Sequence, residues 1–147
     1  MPKSARKSVE LGALDDFVGF HLLIAQIKVF RDFEHALADL GVTPASFSVL
    51  EVLRTNPGAT QSRLAHAVHL DRSSVVPLLD KLEQRGLLSR RASTTDRRNN
   101  HIFLSPEGVS LLDAAMARVR EHEKRITARI SGAEKKLLVS MLAKIGS

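Results

Sequence analysis

The sequence contains no cysteine, no tryptophan and no tyrosine, and only six phenylalanines. Without cysteine the chain has no disulfide framework, no thiolate-bound zinc and no thiol redox sensor. With so few aromatics, the core must be built from Leu, Val, Ile and Ala, a palette that favours helices here. Long apolar runs are missing too. The most apolar stretch, FVGFHLLIAQIKVF at 17–30, is broken by His21, Gln26 and Lys28. It falls short of the ~18 uninterrupted apolar residues that a membrane span requires. The basic start MPKSARKS is followed by Glu10, Asp15 and Asp16, which is not the pattern of a secretory signal. The expected location is the cytoplasm. No G-x-G-x-x-G, P-loop or G-x-S-x-G pattern occurs, so an enzyme is not expected and no cofactor is implied.

What the chain does have is positive charge in one place. Its net charge is +6 and its pI about 10.2. Between Arg54 and His101 lie Arg54, Arg63, Arg72, Lys81, Arg85, Arg90, Arg91, Arg97 and Arg98, against Asp71, Asp80, Glu83 and Asp96. Five of the six net charges therefore sit in the middle third. A clustered basic segment is the electrostatic footprint of a polyanion binder. The alternative is an ordinary solvated surface.

The 147 residues, 44% hydrophobic, suffice for one compact domain with helical extensions. Residues 1–10 read as a flexible basic arm. Apolar residues at 17, 20, 24, 27, 30, 33, 37 and 40 predict one long amphipathic helix from about Asp15 to Leu40, closed by Gly41. Thr43 and Pro44 are a helix cap and first position, and Phe47, Leu50 and Leu53 form the buried stripe. Pro57-Gly58 ends that helix. Thr60 caps a short helix, QSRLAHAVH. A break near Leu70-Asp71 precedes a third helix, RSSVVPLLDKLEQR, with Val75, Leu78 or Leu79, and Leu82 inward and Gly86 at its end. LLSRRAS and NHIFLS read as a β-hairpin. Ser105-Pro106 opens a helix running to about Ile130. Ser131-x-x-Glu134 is a capping box for a last helix lined by Leu137, Leu138, Met141, Leu142 and Ile145. The expected fold is mainly α with a small β-hairpin wing. A winged helix-turn-helix spans 43–104, and dimerisation helices occupy 11–42 and 105–147.

Two helices joined by a tight turn, the second opening on small polar residues, form a helix-turn-helix pattern. Arg72, Ser73 and Ser74 can approach base edges and phosphates in a major groove, with Lys81 on the same helix. Pro77 is the exception on that helix. If the helix starts at Asp71, proline falls past the first turn and removes a backbone hydrogen bond, at a cost of ~3 kcal/mol or a kink. If Ser73 or Ser74 is the cap, proline falls within the first turn, where no N–H is required. The second reading, or a bent start, is the one expected. Val76 and Pro77 can then touch thymine methyls. His66 and His69 are spaced as a metal pair, but no cysteine or carboxylate cluster completes a set, so a solvated or phosphate-facing pair is expected and no metal site.

The stretch LDRSSVVPLLDKLEQRGLLSRRASTTDRRNNHIFLSPEG resembles the winged helix-turn-helix of the MarR (multiple antibiotic resistance regulator) family of bacterial transcription regulators. The match includes LxxLExxGLLxR, the D-x-R wing, and LSPEG where the family usually shows L-T-x-x-G. GVTPASFSVLEVL, GATQSRLA and the order of elements are also similar. The resemblance implies that Arg98 enters a minor groove, that Asp96 orients it, and that Arg97 contacts a phosphate. Residues 96 and 98 share a face of an extended strand, and a narrow minor groove attracts arginine. The resemblance also implies a homodimeric repressor on pseudo-palindromic double-stranded DNA, with its N- and C-terminal helices paired around a two-fold axis. Such regulators often respond to a small aromatic or phenolic acid or an acyl-CoA thioester. Phe20, His21, Ile24, Phe47 and Arg54 are the candidate pocket lining, although core packing explains the apolar ones equally well. The missing cysteine argues against the peroxide-sensing branch. The alternative is a winged-helix adaptor for protein or RNA, without a ligand response.

Overall fold

The computed structural model describes residues 8–95 and 99–147. Its elements are α1 (Val18–Leu37), α2 (Pro44–Thr55), β1 (Ala59–Thr60), α3 (Gln61–Ala67), α4 (Arg72–Gln84), β2 (Leu88–Ala92), β3 (Asn100–Leu104), α5 (Pro106–Ile126) and α6 (Gly132–Ile145). The three strands form an antiparallel sheet in the order β1-β3-β2. Arg90 and Ala59 both lie opposite Ile102, on either side of the central strand.

The helix starts follow the sequence closely. The side chains of Thr43, Thr60, Ser105 and Ser131 each accept a backbone N–H from the first turn they cap, which satisfies one of the donors that a helix start leaves unpaired. Strand β1 was not foreseen. It consists of two residues that follow the Pro57-Gly58 turn, where Gly58 at φ 80° donates its N–H to the Ile102 carbonyl at 2.9 Å.

The main core gathers Leu50 and Leu53 of α2, Leu64 of α3, Val75, Leu79 and Leu82 of α4, Ile102 of β3 and Leu112 of α5. Each fully buried leucine contributes about 2 kcal/mol by leaving water. Of the two inward candidates on α4, Leu79 is the buried one and Leu78 is half-buried. A second cluster, Phe33, Leu37, Val42 and Ala115, holds the C-terminal half of α1 against α5.

Two expected helices have different limits. The first is not continuous from Asp15 to Leu40. A 3-10 turn spans Gly12–Asp16, Phe17 is extended at φ −94° and ψ 115°, and a second 3-10 turn spans Ala38–Leu40. Gly41, at φ 61°, ends the segment as expected. Helix α5 ends at Ile126 rather than Ile130. Its buried face is Gly108, Leu112, Ala115 and His122, whereas Val109 and Ile126 are exposed. Apolar spacing marks Leu112 on this face but not the rest, because the other three residues are a glycine, an alanine and a histidine.

A polar pin joins α1 to α5 next to the second cluster. His122, 3% exposed, lies 2.6 Å through Nδ1 from the Asp32 carboxylate. Arg125 donates to the same carboxylate from Nη2 at 2.9 Å. The Phe33 ring stands edge-on to His122 at 5.4 Å. The Arg125 hydrogen bond first, then that of His122, brings the Asp32 carboxyl down to about 2.

The start of α5 is docked on the turn between α4 and β2. Ser105 donates its N–H to the Leu87 carbonyl at 3.1 Å and its hydroxyl to the Gly86 carbonyl at 2.5 Å. A Cβ at Gly108 would stand 2.0 Å from the Leu87 carbonyl oxygen. Backbone faces backbone there, so only glycine fits.

Two predictions follow from this packing. Gly108→Ala forces α5 off its seat and should cost about 1–3 kcal/mol, measured by urea unfolding with the slope unchanged. The second concerns acid. A depressed carboxyl stabilises the fold fully above its ordinary range near 4 and loses that contribution as pH falls toward 2. Asp32→Asn should therefore be less stable than the parent at pH 6, with the gap closing between pH 4 and 2. A gap that stays constant across that window would show that the pin does not act through the ionised carboxylate.

Candidate nucleic-acid interface

Helices α3 and α4 are joined by Val68–Asp71 in a closed turn. Leu70 donates its N–H to the Ala65 carbonyl at 2.9 Å and His69 to the His66 carbonyl at 3.3 Å. This is the double hydrogen bond of a helix ending on a left-handed residue, and His69, at φ 53°, occupies that position. The spacing of His66 and His69 is thus a helix ending, and no metal-holding group of His, Asp or Glu is found among the described residues.

Asp71 then caps α4. Its Oδ1 accepts the Ser74 N–H at 2.8 Å and the Ser73 hydroxyl at 2.9 Å. Bonds from Ser74 first, then Ser73, hold its carboxyl below the usual range. This corrects the expectation of a cap at Ser73 or Ser74. Pro77 is the sixth helical residue, inside α4, and has no N–H to give the Ser73 carbonyl one turn earlier. The Asp71 cap prevails because it secures two donors at once and starts the helix early enough to bury Val75.

With Val75, Leu79 and Leu82 inward, the opposite face of α4 is set. Arg72, Ser73, Ser74, Pro77 and Lys81 are exposed and Val76 is half-buried. A cavity of about 330 Å³ runs from the start of α3 to the loop end of the hairpin, lined by Gln61, Ser62, Arg72, Asn99 and Asn100 among others. No motif in the sequence marks Gln61, Ser62 or the two asparagines. They become neighbours only because β1 brings the start of α3 alongside β3.

The basic residues divide into two groups. Arg90 is tied to α4, with Nη2 2.7 Å from Asp80 and Nη1 2.5 Å from Glu83. Arg91 lies 4.5 Å over the Phe103 ring. Arg54 is paired with Glu51 at 2.5 Å and Asp113 at 2.8 Å. No carboxylate pairs with Arg63, Arg72 or Lys81 among the described residues. Arg72 and Lys81 therefore stand on the exposed face of α4 without a carboxylate partner among the described residues.

The MarR family pattern matches residues 42–99. Over 135 residues the chain is 38% identical to a putative transcriptional regulatory protein for the hcr operon of Thauera aromatica, covering 91% of this chain and 81% of that protein. The chain belongs to the MarR family. A HTH-type transcriptional repressor of Mycobacterium tuberculosis is 31% identical over 138 residues, 93% of this MarR-family chain and 99% of that one. Among solved structures, the transcriptional repressor CouR bound to a 23-mer DNA duplex superposes with a TM-score of 0.90 at 38% identity, over 95% of this chain and 99% of that one. CouR bound to p-coumaroyl-CoA gives 0.84 at 37% identity, over 95% and 98%. This MarR-family chain is a transcriptional regulator, and its helical body with a small three-stranded sheet is the winged-helix fold of those structures. No single helix among its described residues is long and apolar enough to cross a membrane.

The other predicted residues of the regulator are placed as follows. Asp96, Arg97 and Arg98, at the wing tip, lie outside the described residues. Phe20 and His21 are ring neighbours at 5.7 Å, with His21 Nε2 2.7 Å from the Asp15 carbonyl oxygen, and Ile24 is 36% exposed on the same helix. Phe47 instead meets Phe33 edge-on at 6.1 Å, and Arg54 faces α5. Within one chain the five pocket candidates thus fall into two groups rather than around one cavity.

The position of Pro77 gives a stability test. Pro77→Ala restores the missing hydrogen bond inside α4 and should raise stability by about 1–3 kcal/mol, read as a higher thermal midpoint. An unchanged or lower midpoint would mean that the helix is already bent to suit proline.

Proposed function

We propose that this regulator is a homodimeric repressor. Each protomer lays α4 in a major groove and its hairpin tip along the neighbouring minor groove of a pseudo-palindromic operator. A small aromatic or phenolic acid, or an acyl-CoA thioester, releases it. The observation that carries the dimer is α6. None of its residues is buried within the chain, and Leu137, Leu138, Met141, Leu142 and Ile145 are 39–59% exposed. Phe17, Val18, Ile27 and Phe30 at the other end of the chain are exposed as well. Apolar surface on this scale marks an interaction face, and a second copy provides the matching one.

Arg72, Ser73, Ser74, Val76, Pro77 and Lys81 are the α4 residues assigned to the operator, and Arg97 and Arg98 the wing residues, with Asp96 orienting Arg98. The exposed face of α4, where neither Arg72 nor Lys81 pairs with a carboxylate among the described residues, supports the first group. The CouR structures, one with a DNA duplex and one with p-coumaroyl-CoA, support both halves of the reading. Phe20, His21, Ile24, Phe47 and Arg54 remain the residues proposed to meet the effector, drawn from the arm and the winged unit together.

The test is fluorescence anisotropy on duplex from the gene's own upstream region, at two salt concentrations with excess nonspecific DNA, since any basic protein binds duplex weakly. Light scattering on the same samples gives the mass. The expected result is a dimer whose binding survives the competitor. Arg98→Ala should weaken it by about 1–3 kcal/mol, and p-coumaroyl-CoA or an aromatic acid should reverse it. Binding lost to competitor at both salts would point instead to a winged-helix adaptor for protein or RNA, and Arg98→Ala at parental affinity would overturn the wing assignment.

A further inference from the structure

The C-terminal end of α4 reaches across to the hinge that joins α1 to α2. Arg85 donates from Nη1 to the Gly41 carbonyl at 2.8 Å and from Nη2 to the Leu40 carbonyl at 2.9 Å. Its guanidinium lies against Gly41, where a Cβ would stand 3.5 Å from both terminal nitrogens. The two acceptors belong to the end of the α1 segment, where carbonyls lack helical partners and the helix dipole is negative. A planar two-pronged cation suits that pair of oxygens better than any other side chain does.

Both ends of this tie are fixed. On the hinge side, Arg118 of α5 holds the Asp39 carboxylate and donates to the Ala36 carbonyl. On the α4 side, Arg85 is the last residue before a closed helix ending. Gly86 donates to the Glu83 carbonyl at 2.8 Å and Leu87 to the Leu82 carbonyl at 3.0 Å, with Gly86 at φ 72°. Between the two anchors lies a cleft of about 430 Å³, with Thr43 and Ser46 on the α2 wall and Ser74, Pro77 and Lys81 on the α4 wall. Helix α4 packs chiefly on α3 and β2, and the cleft separates its exposed Ser74, Pro77 and Lys81 from the start of α2. Arg85 bridges that cleft at the C-terminal end of α4.

We propose that Arg85 is a positioning residue that sets the distance between the recognition helix and the dimerisation arm, and so determines which half-site spacing the repressor accepts. This rests on the dimeric reading above. With the arms paired about a two-fold axis, the placement of each α4 relative to α1 fixes the separation of the two recognition helices. One base pair more or less between half-sites moves the second site by roughly 3.4 Å and turns it by roughly 35°. A firmly tied helix rejects such a site, and a loosely tied one follows it.

The experiment has two arms. In the first, parent, Arg85→Ala and Arg85→Lys are titrated with operator duplexes whose half-site spacing is native, one base pair longer or one shorter. The parent should discriminate, and Arg85→Ala should lose on the order of tenfold of that discrimination, chiefly by binding the altered duplexes relatively better. Arg85→Lys, with a single point of charge, should fall between. Equal weakening on all three duplexes, or an unchanged profile, overturns the proposal and leaves Arg85 a merely stabilising contact. The second arm needs no DNA. The chain has no cysteine, so spin labels at Glu34→Cys on α1 and Gln84→Cys on α4 are the only ones present. Diluted into unlabelled protein, they report one protomer's α1–α4 distance. Arg85→Ala should broaden or shift that distribution, and an identical distribution overturns the proposal whatever the DNA shows. Failure of the dimeric reading is seen separately, as a monomeric parent by light scattering or a parent without spacing preference.

Discussion

Four elements meet at two residues, Gly86 and Leu87. Helix α4 ends there, β2 begins there, β3 returns there through Ser105, and α5 starts against it with Gly108. The contacts are backbone to backbone, or backbone to one hydroxyl. They therefore leave almost no adjustable length, unlike side-chain packing, which can shift by rotamer changes. Helix α4, the β2–β3 hairpin and α5 take their mutual angles from this junction. Leu82, Leu88, Ile102 and Leu112 then fill the space beneath it. The core makes the assembly stable, and the junction makes it one shape.

Around that fixed point the polar contacts act as struts. Arg90 holds the hairpin to α4 through Asp80 and Glu83. Arg54 holds α2 to α5 through Asp113. Asp32 holds α1 to α5 through His122 and Arg125. Isolated surface ion pairs contribute little to stability, but these link different elements, and their value is geometric. They also explain why the large count of basic residues overstates the charge offered to a polyanion. Part of it is consumed in these struts, while Arg72 and Lys81 on the exposed face of α4 pair with no carboxylate among the described residues.

Local chemistry was legible in the sequence and long-range chemistry was not. Thr43, Thr60, Ser105 and Ser131 announce helix starts because a cap is decided within four residues. Gly41 and Gly86 announce endings for the same reason. The cap of α4 was misplaced for an instructive reason. Pro77 favours a later start and Asp71 an earlier one, and tertiary burial of Val75 decides between them. The Asp32–His122 pair spans 90 positions, and the contact of Arg85 with Gly41 spans 44. No periodicity or motif links residues so far apart. Leu112 apart, the buried face of α5 escapes hydrophobic patterning, which does not count Gly108, where close approach demands the absence of a side chain, or His122, whose burial depends on Asp32. Of the candidate interface, the exposed face of α4 was legible. Gln61 and Asn100 were not, because they become neighbours only through the two-residue strand β1.

Helix α6 has 14 residues and buries none of them. Its capping box and an ion pair from Lys135 to Glu123 at 2.9 Å fix where it starts, but a helix of this length is marginal in water on its own. Its order must come from whatever covers it. If that cover is a second copy, mass action ties the structure of one chain to the number of chains present. A cell holding few copies would then contain partly unfolded chains as well as fewer dimers. Repression would fall with abundance more steeply than simple occupancy allows, and the exposed C-terminal segment of an unpartnered chain would be the first part open to proteolysis.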